Sequence, residues 1–379
     1  MLLNFVKFFL LTTFASQLDG ACDTSNQLLQ ELTFQLSGSS LQWPCQSTKN
    51  IYIHSGRFTP KNVIMTRAQI YRDEAYVTLP RLKAGVPFTL GKISMKRGQC
   101  SPAILPFPCW SLQEEGNCQA LQSAIDIFLD PNDIMWVLDV GLVNTLESPV
   151  RRCPPKVIGI NIKTGRVVKS IDLDNVVVRS SRLQYLVAEY DENGNCFIYV
   201  ADAGSRAILV LDVQKNKNFR VVLPGACGSI NSSPDVLYIV LLRKTCGTYL
   251  YFTYLKSTRL FSIKTEHLRK GAGSGAVVDV GPKPQGLQMV LLGTDNKSGL
   301  FLRYKGQSDI YMWDAESCFK AGNFIEVQSG GDCRLSTQVM PGFRRHMWTI
   351  ESNFQDYIAD NLGCMGANVV IHPVIKNKE

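Results

Sequence analysis

Histidine is scarce in this 379-residue chain, which carries four: His54, His267, His346 and His372. A coupled dicopper centre takes about six imidazole donors, so copper-based phenol oxidation is excluded. His54 and His346 read as ordinary loop histidines. The sequence contains no His-Glu-x-x-His, no Gly-x-Ser-x-Gly and no phosphate loop, which removes the common zinc-protease, serine-hydrolase and nucleotide-hydrolase chemistries. Cys-x-x-Cys is also missing, so neither a zinc ribbon nor a thioredoxin-type site is indicated. No cofactor or metal is expected from these patterns. After the first 21 residues no run approaches the roughly 18 apolar residues that cross a bilayer. Helical patterning is limited to 25–34 and 265–270.

What the chain has in quantity is short strands. Phe197-Ile-Tyr-Val-Ala-Asp-Ala-Gly-Ser-Arg-Ala-Ile-Leu-Val-Leu-Asp212 reads as strand, tight turn, strand, with Asp202-Ala-Gly-Ser-Arg206 supplying the reversal. The pattern recurs. Tyr76, Trp136, Tyr199, Tyr251, Phe301 and Trp348 each sit inside a β-type run that ends at a turn, at spacings of 60, 63, 52, 50 and 47 residues. Second apolar runs follow at 157–162, 208–211, 259–263 and 309–313. A repeat of this length suits a four-stranded propeller blade. The fold expected is all-β: a six-bladed β-propeller, a single domain, disulfide-bonded. Residues 51–379 form the propeller, and 22–50 form a segment packed on it.

Met1-Leu-Leu-Asn-Phe-Val-Lys7 precedes the apolar run Phe8-Phe-Leu-Leu-Thr-Thr-Phe-Ala15 and then small and polar residues, the pattern of a secretory signal peptide spanning 1–21. Cleavage after Ala15 and cleavage nearer Ala21 both fit. The expected protein is secreted and extracellular, without a membrane span. All 12 cysteines lie beyond this segment, an even number that favours disulfides in an exported chain. Cys227 with Cys246, and Cys318 with Cys333, are the expected local pairs, each flanking a hairpin connection. Asn231-Ser-Ser233 and Asn296-Lys-Ser298 are sequons for N-glycans, the first weakened by Pro234. The net charge of +8 is scattered, with small clusters at Arg151-Arg152, Arg269-Lys270 and 344–346. Scattered basic charge on an exported chain suits solvated loops or an anionic matrix, and secretion argues against nucleic acid.

Several blocks resemble the insect yellow / major royal jelly protein family. Tyr71-Arg-Asp-Glu-Ala-Tyr-Val-Thr-Leu-Pro-Arg-Leu-Lys-Ala-Gly-Val-Pro-Phe-Thr-Leu90 is similar to the family's first-blade signature, and Leu105-Pro-Phe-Pro-Cys-Trp110 to its Pro-Tyr-Pro-x-Trp segment. Trp136-Val-Leu-Asp-Val-Gly141 followed by Cys153-Pro-Pro-Lys156 is similar to its most distinctive pairing. Segments 249–268 and 309–314 look like its fourth and fifth blades. The likeness runs in order from about residue 43 to near the end. One departure is Asp130-Pro-Asn-Asp133, where the family usually has an acidic-Cys pair, so that disulfide is absent or re-paired here. Another is 354–357, after the retained Ser352-Asn353. These changes suggest a divergent branch of the eggshell-associated yellow-g type.

The resemblance implies three functions. The first is a non-catalytic role in insect extracellular matrix, in eggshell or cuticle formation, hardening or pigmentation, with matrix components as partners. The second is a melanin-pathway enzyme of dopachrome-conversion type, a proton shift needing an acid/base pair. The third is capture of a small aromatic amine in the propeller channel. Asp139 and Asp202 end equivalent strands, and two carboxylates at the channel would serve as the acid/base pair or the amine site. An Asp at a strand end also accepts backbone N–H bonds in the following turn. That is the arrangement expected of both, with Asp202 paired to Arg206 and no catalytic residue at either position. Asn353 and Phe354 are further binding candidates, and Tyr254, Tyr311 and Phe354 are aromatics for lining a mouth.

Overall fold

The six aromatics that set the repeat all occupy the second strand of a four-stranded antiparallel sheet. The computed structural model describes residues 31–96, 100–228, 235–271, 273–284, 286–330, 334–343, 346–362 and 366–374. Each sheet is one blade. Blade 1 runs Arg67–Tyr71, Glu74–Thr78, Leu90–Ser94, Leu105–Pro106. Blade 2 runs Ala124–Leu129, Ile134–Asp139, Lys156–Asn161, Val167–Asp172, and blade 3 Leu183–Tyr190, Cys196–Asp202, Ala207–Asp212, Lys217–Val222. Blade 4 comprises Leu237–Lys244, Gly247–Tyr254, Arg259–Lys264, Val278–Pro282, and blade 5 Met289–Thr294, Gly299–Tyr304, Ile310–Asp314, Phe324–Gln328.

Blade 6 joins the two ends of the chain. Its strands Leu335–Pro341, Met347–Ser352 and Val369–Pro373 are completed by Phe34–Leu36, with Phe34 opposite Ile371. The segment expected only to pack on the propeller thus supplies its closing strand, which pairs an edge that would otherwise be open. Trp348, fully buried, lies 6.3 Å from the Phe34 ring and 4.9 Å from Phe343.

Burial explains why the repeat is legible. The middle strands of blade 3, Cys196–Asp202 and Ala207–Asp212, are buried at every position because both faces pack on neighbouring blades. The outer strand Val167–Asp172 is mostly exposed and reads as mixed. First strands of successive blades pack on one another in a closed ring, so their side chains line the central channel.

A helix forms at Thr265–Arg269, as the pattern at 265–270 predicts. The pattern at 25–34 falls mainly outside the described residues, and Phe34 begins a strand. Helices also form outside those two patterns, at Gln46–His54 and Phe354–Ile358. The signal segment, Asn231 and Cys333 lie outside the described residues. Among those described, no helix is long and apolar enough to cross a membrane.

Cys118 and Cys153 form a disulfide, and Cys100 is also disulfide-bonded. The expected Cys227–Cys246 bond is not formed: Cys227 is buried and free, Cys246 exposed and free. The expectation placed 221–223 beside 249–251 as adjacent strands, but Lys217–Val222 is the outer strand of blade 3 and Gly247–Tyr254 the second strand of blade 4. Cys227 packs with Leu237 and Tyr254 at one end of the hairpin that Leu237–Lys244 makes with Gly247–Tyr254, and Cys246 occupies its turn. Eight residues of strand separate the two ends, about 26 Å at strand rise. Cys318 is likewise free, with Phe324–Gln328 intervening before residue 333. Where the resemblance leads to an acidic-Cys pair, Asp130 instead accepts from Trp136 Nε1 (2.9 Å) and from the Tyr190 hydroxyl (2.6 Å), tying blade 2 to blade 3.

Candidate functional site: the mouth of the channel

The channel opens at one end into a cavity of about 570 Å³ and narrows toward the other to a space of about 100 Å³. The two share Arg67, Tyr185 and Tyr238, which form the floor of the wide mouth. All three sit on or at the start of first strands, the position the ring topology turns toward the axis. The rings of Tyr185 and Tyr238 stack at 5.4 Å with 25° between planes, and the Arg67 guanidinium lies 4.4 Å from the Tyr185 centroid. A guanidinium over an aromatic face is held by the ring quadrupole. Arg67 also donates to the Thr337 carbonyl at 2.7 Å and approaches Asp126 at 3.4 Å.

Asp126 stands just below this floor. Its carboxylate accepts from Leu186 N–H (2.8 Å) and Ile127 N–H (3.0 Å). Burial nevertheless raises it to about 6, Arg67 and the two N–H donors only partly offsetting the loss of water. Burial likewise pushes the Tyr185 and Tyr238 hydroxyls up, keeping both protonated. Arg303 reaches the mouth from blade 5, with its Nε donating to Ser336 O at 2.7 Å. Apolar walls come from Leu82, Ile125, Val140, Val177 and Phe354. The Phe354 ring is delivered by the helix Phe354–Ile358, which leaves blade 6 at its second strand. An apolar cavity with a few convergent polar groups is the usual form of a small-molecule site. A separate cleft of about 730 Å³ beside the helix Gln46–His54 is lined by Tyr52, Trp110, Arg57 and Glu114. Arg81 at its base is saturated by five carbonyls, a structural role.

The family model for major royal jelly proteins matches residues 122–377. The chain belongs to the major royal jelly protein family. It is 30% identical over 174 residues to dopaminechrome tautomerase of Drosophila melanogaster, covering 45% of this chain and 38% of that protein. Major royal jelly protein 8 of Apis mellifera is 25% identical over 295 residues, covering 73% and 70%. Protein yellow of Drosophila melanogaster is 27% identical over 197 residues, covering 51% and 36%. The match thus spans well under half the length of two of these relatives, the tautomerase and protein yellow.

In this member of the major royal jelly protein family the two aspartates singled out from sequence are not at the mouth. Asp139 is fully buried and accepts from Gln122 N–H and Ser123 N–H (both 2.8 Å), Gly141 N–H (3.0 Å) and the Lys156 ammonium (2.9 Å). Asp202 accepts from Arg182 N–H (2.8 Å), Ser205 N–H (3.2 Å) and the hydroxyls of Ser181 and Ser205. Each carboxylate clamps the entry to its blade's first strand, so neither is free to hold a ligand. Arg206 does not pair with Asp202; it donates to the carbonyls of Leu223 and Gly228. Asn353 is also engaged, its Oδ1 accepting from Asn368 N–H at 2.8 Å. Tyr254 is buried against Ala203 O and Tyr311 packs on Tyr304, both away from the mouth. Of the sequence candidates only Phe354 lines it. Asn296 is exposed in a turn with φ 63° at the narrow end of the channel. Among the described residues no cluster of metal-ligating side chains occurs.

Proposed function

We propose that this chain is a secreted propeller of insect extracellular matrix that takes up a planar aromatic small molecule at the wide mouth of its channel. The observation that carries the reading is the apolar cavity floored by the stacked Tyr185 and Tyr238 rings and walled by Phe354. Offset-stacked aromatic surfaces favour a flat guest. The signal-like start of the sequence and the resemblance to the yellow family support a matrix setting, in eggshell or cuticle formation, hardening or pigmentation. Calorimetric titration with serotonin, dopamine, indole and indole-2-carboxylate tests the binding. At least one should bind, and Phe354→Ala should weaken it several-fold, since one aromatic contact contributes about 1 kcal/mol. Silence across the panel at high micromolar concentration would end the reading. Loss of the transcript should weaken or discolour the matrix, and normal strength, permeability and colour in its absence would count against the matrix role.

A second reading, conversion of a dopachrome-type compound, is favoured by Asp126. Its carboxyl, raised to about 6 and beside the Arg67 guanidinium, has the proton affinity a general acid/base needs near neutral pH. The likeness to a dopaminechrome tautomerase supports it. The protein should then speed dopachrome decay, and Asp126→Asn should remove the gain. No acceleration over a heat-killed control sinks the idea.

A further inference from the structure

We infer that the mouth selects planar aromatic anions, carboxylates in particular, over aromatic amines. This rests on the proposed binding of a flat aromatic at the same place and adds its charge. Four arginines line the mouth, Arg67, Arg151, Arg182 and Arg303, and among the described lining residues there is no Asp or Glu.

Their existing contacts leave the positive charge largely uncompensated. Arg67 has one carboxylate neighbour, Asp126, which lines the narrower part of the channel below and already accepts two backbone N–H bonds. The other three make no ion pair among the described residues. Arg182 donates to Asp235 O at 2.7 Å, Arg303 to Ser336 O and Tyr304 O, and Arg151 reaches Val140 O at 3.5 Å. Backbone carbonyls fix the planes of these groups without neutralising them. A guanidinium carries five N–H donors in a fixed fork, so each retains donors for an incoming acceptor. Glu351 of blade 6 exerts a favourable charge on Arg303 but makes no ion pair with it, being turned to His372 (3.4 Å) and Gln328 (2.7 Å).

Arg303 is the sharpest case, because its residue is 8% exposed. A buried cation without a directly paired counter-ion is costly, and a carboxylate that pairs with it recovers part of that cost on binding. Bidentate contact with a planar carboxylate matches the geometry of the group. The flat Tyr185/Tyr238 pair and the Phe354 ring set the shape of the rest of the ligand. An ammonium ion would meet four like charges and no carboxylate on the wall.

The test uses three ligands with one ring system and charges of minus, zero and plus: indole-2-carboxylate, indole and tryptamine. Each is titrated calorimetrically against the full-length protein at low and at moderate salt. The carboxylate should bind at least tenfold more tightly than indole, tryptamine should bind more weakly than indole, and added salt should shrink the carboxylate's advantage. Arg303→Gln should remove most of that advantage while leaving indole binding in place. Arg151→Gln, at the exposed rim, should reduce it even if Arg303→Gln fails to fold. Tryptamine binding as tightly as the carboxylate, or a carboxylate no better than indole, would overturn the charge inference alone. Binding by none of the three would also overturn the charge inference, and silence from serotonin and dopamine as well would overturn the binding reading with it.

Discussion

Asparagine at position 139 should be far more damaging than asparagine at position 202, although both aspartates clamp equivalent strand entries. The two oxygens of Asp139 accept four bonds: Ser123 N–H and Gly141 N–H on one, Gln122 N–H and the Lys156 ammonium on the other. Every partner is a donor that cannot reverse. The Asn amide therefore turns an NH₂ toward two buried donors whichever way it flips. Each lost acceptor costs about 1–3 kcal/mol, and a buried cation without its partner about 3–5 kcal/mol, so a total of at least about 4 kcal/mol is expected. At Asp202 one oxygen faces only the Ser181 and Ser205 hydroxyls. Hydroxyls rotate and accept from an NH₂, so Asp202→Asn should cost about 1 kcal/mol. Urea unfolding followed by tryptophan fluorescence reads both, provided the slope is unchanged between variants. Adding Lys156→Met to Asp139→Asn should recover at least about 1 kcal/mol relative to additivity. Equal losses at the two positions, or a loss below about 1 kcal/mol at Asp139, would refute the reasoning.

Four further outcomes are expected. A non-reduced digest should join Cys118 to Cys153 and leave Cys227 and Cys246 unlinked. Iodoacetamide should label Cys246 in the folded protein but Cys196 only after unfolding, because burial pushes the Cys196 thiol up to about 12. A peptide bridging Cys227 and Cys246 would contradict the strand order. Burial raises Asp126 from 3.8 to about 6, so the folded protein retains a proton that the unfolded chain has released. The stabilisation from that proton is full below about pH 4 and lost as pH rises through about 6. Asp126→Asn should therefore compare more favourably with the parent at about pH 7 than at about pH 4 in urea titrations, and a pH-independent difference would count against the shift. Trp348→Ala, emptying the fully buried contact with Phe34 and Phe343, should cost about 3–5 kcal/mol. A calorimetric melting temperature unchanged by it would show that the closing blade does not depend on this ring.

The architecture was legible because blades are local. Tyr76, Trp136, Tyr199, Tyr251, Phe301 and Trp348 sit on second strands buried on both faces, so burial writes an aromatic into each repeat. The roles of Asp139 and Asp202 were legible only in part: each caps its following turn at Gly141 or Ser205, but the clamps on 122–123 and 181–182 reach back 16–21 residues, and Asp202 does not pair with Arg206. The site was not. Arg67, Asp126, Tyr185, Tyr238 and Arg303 come from five different blades, and only closure of the ring brings them together. One signal was present: Asp126 is a lone charge within the apolar strand Ala124-Ile-Asp-Ile-Phe-Leu129, where a carboxylate survives only with partners from elsewhere. The disulfide pairing failed because the blade boundary falls between its two cysteines: Cys227 follows the outer strand of blade 3, and Cys246 sits in the turn after Leu237–Lys244, the first strand of blade 4.

The most direct test of ligand uptake at the mouth is a crystal structure of the protein soaked with indole-2-carboxylate. The ligand ring should lie against the Tyr185/Tyr238 floor or the Phe354 wall, with its carboxylate within hydrogen-bond reach of Arg303 or Arg182. A mouth left empty at saturating ligand, or a molecule bound only in the Tyr52 and Trp110 cleft, would contradict it.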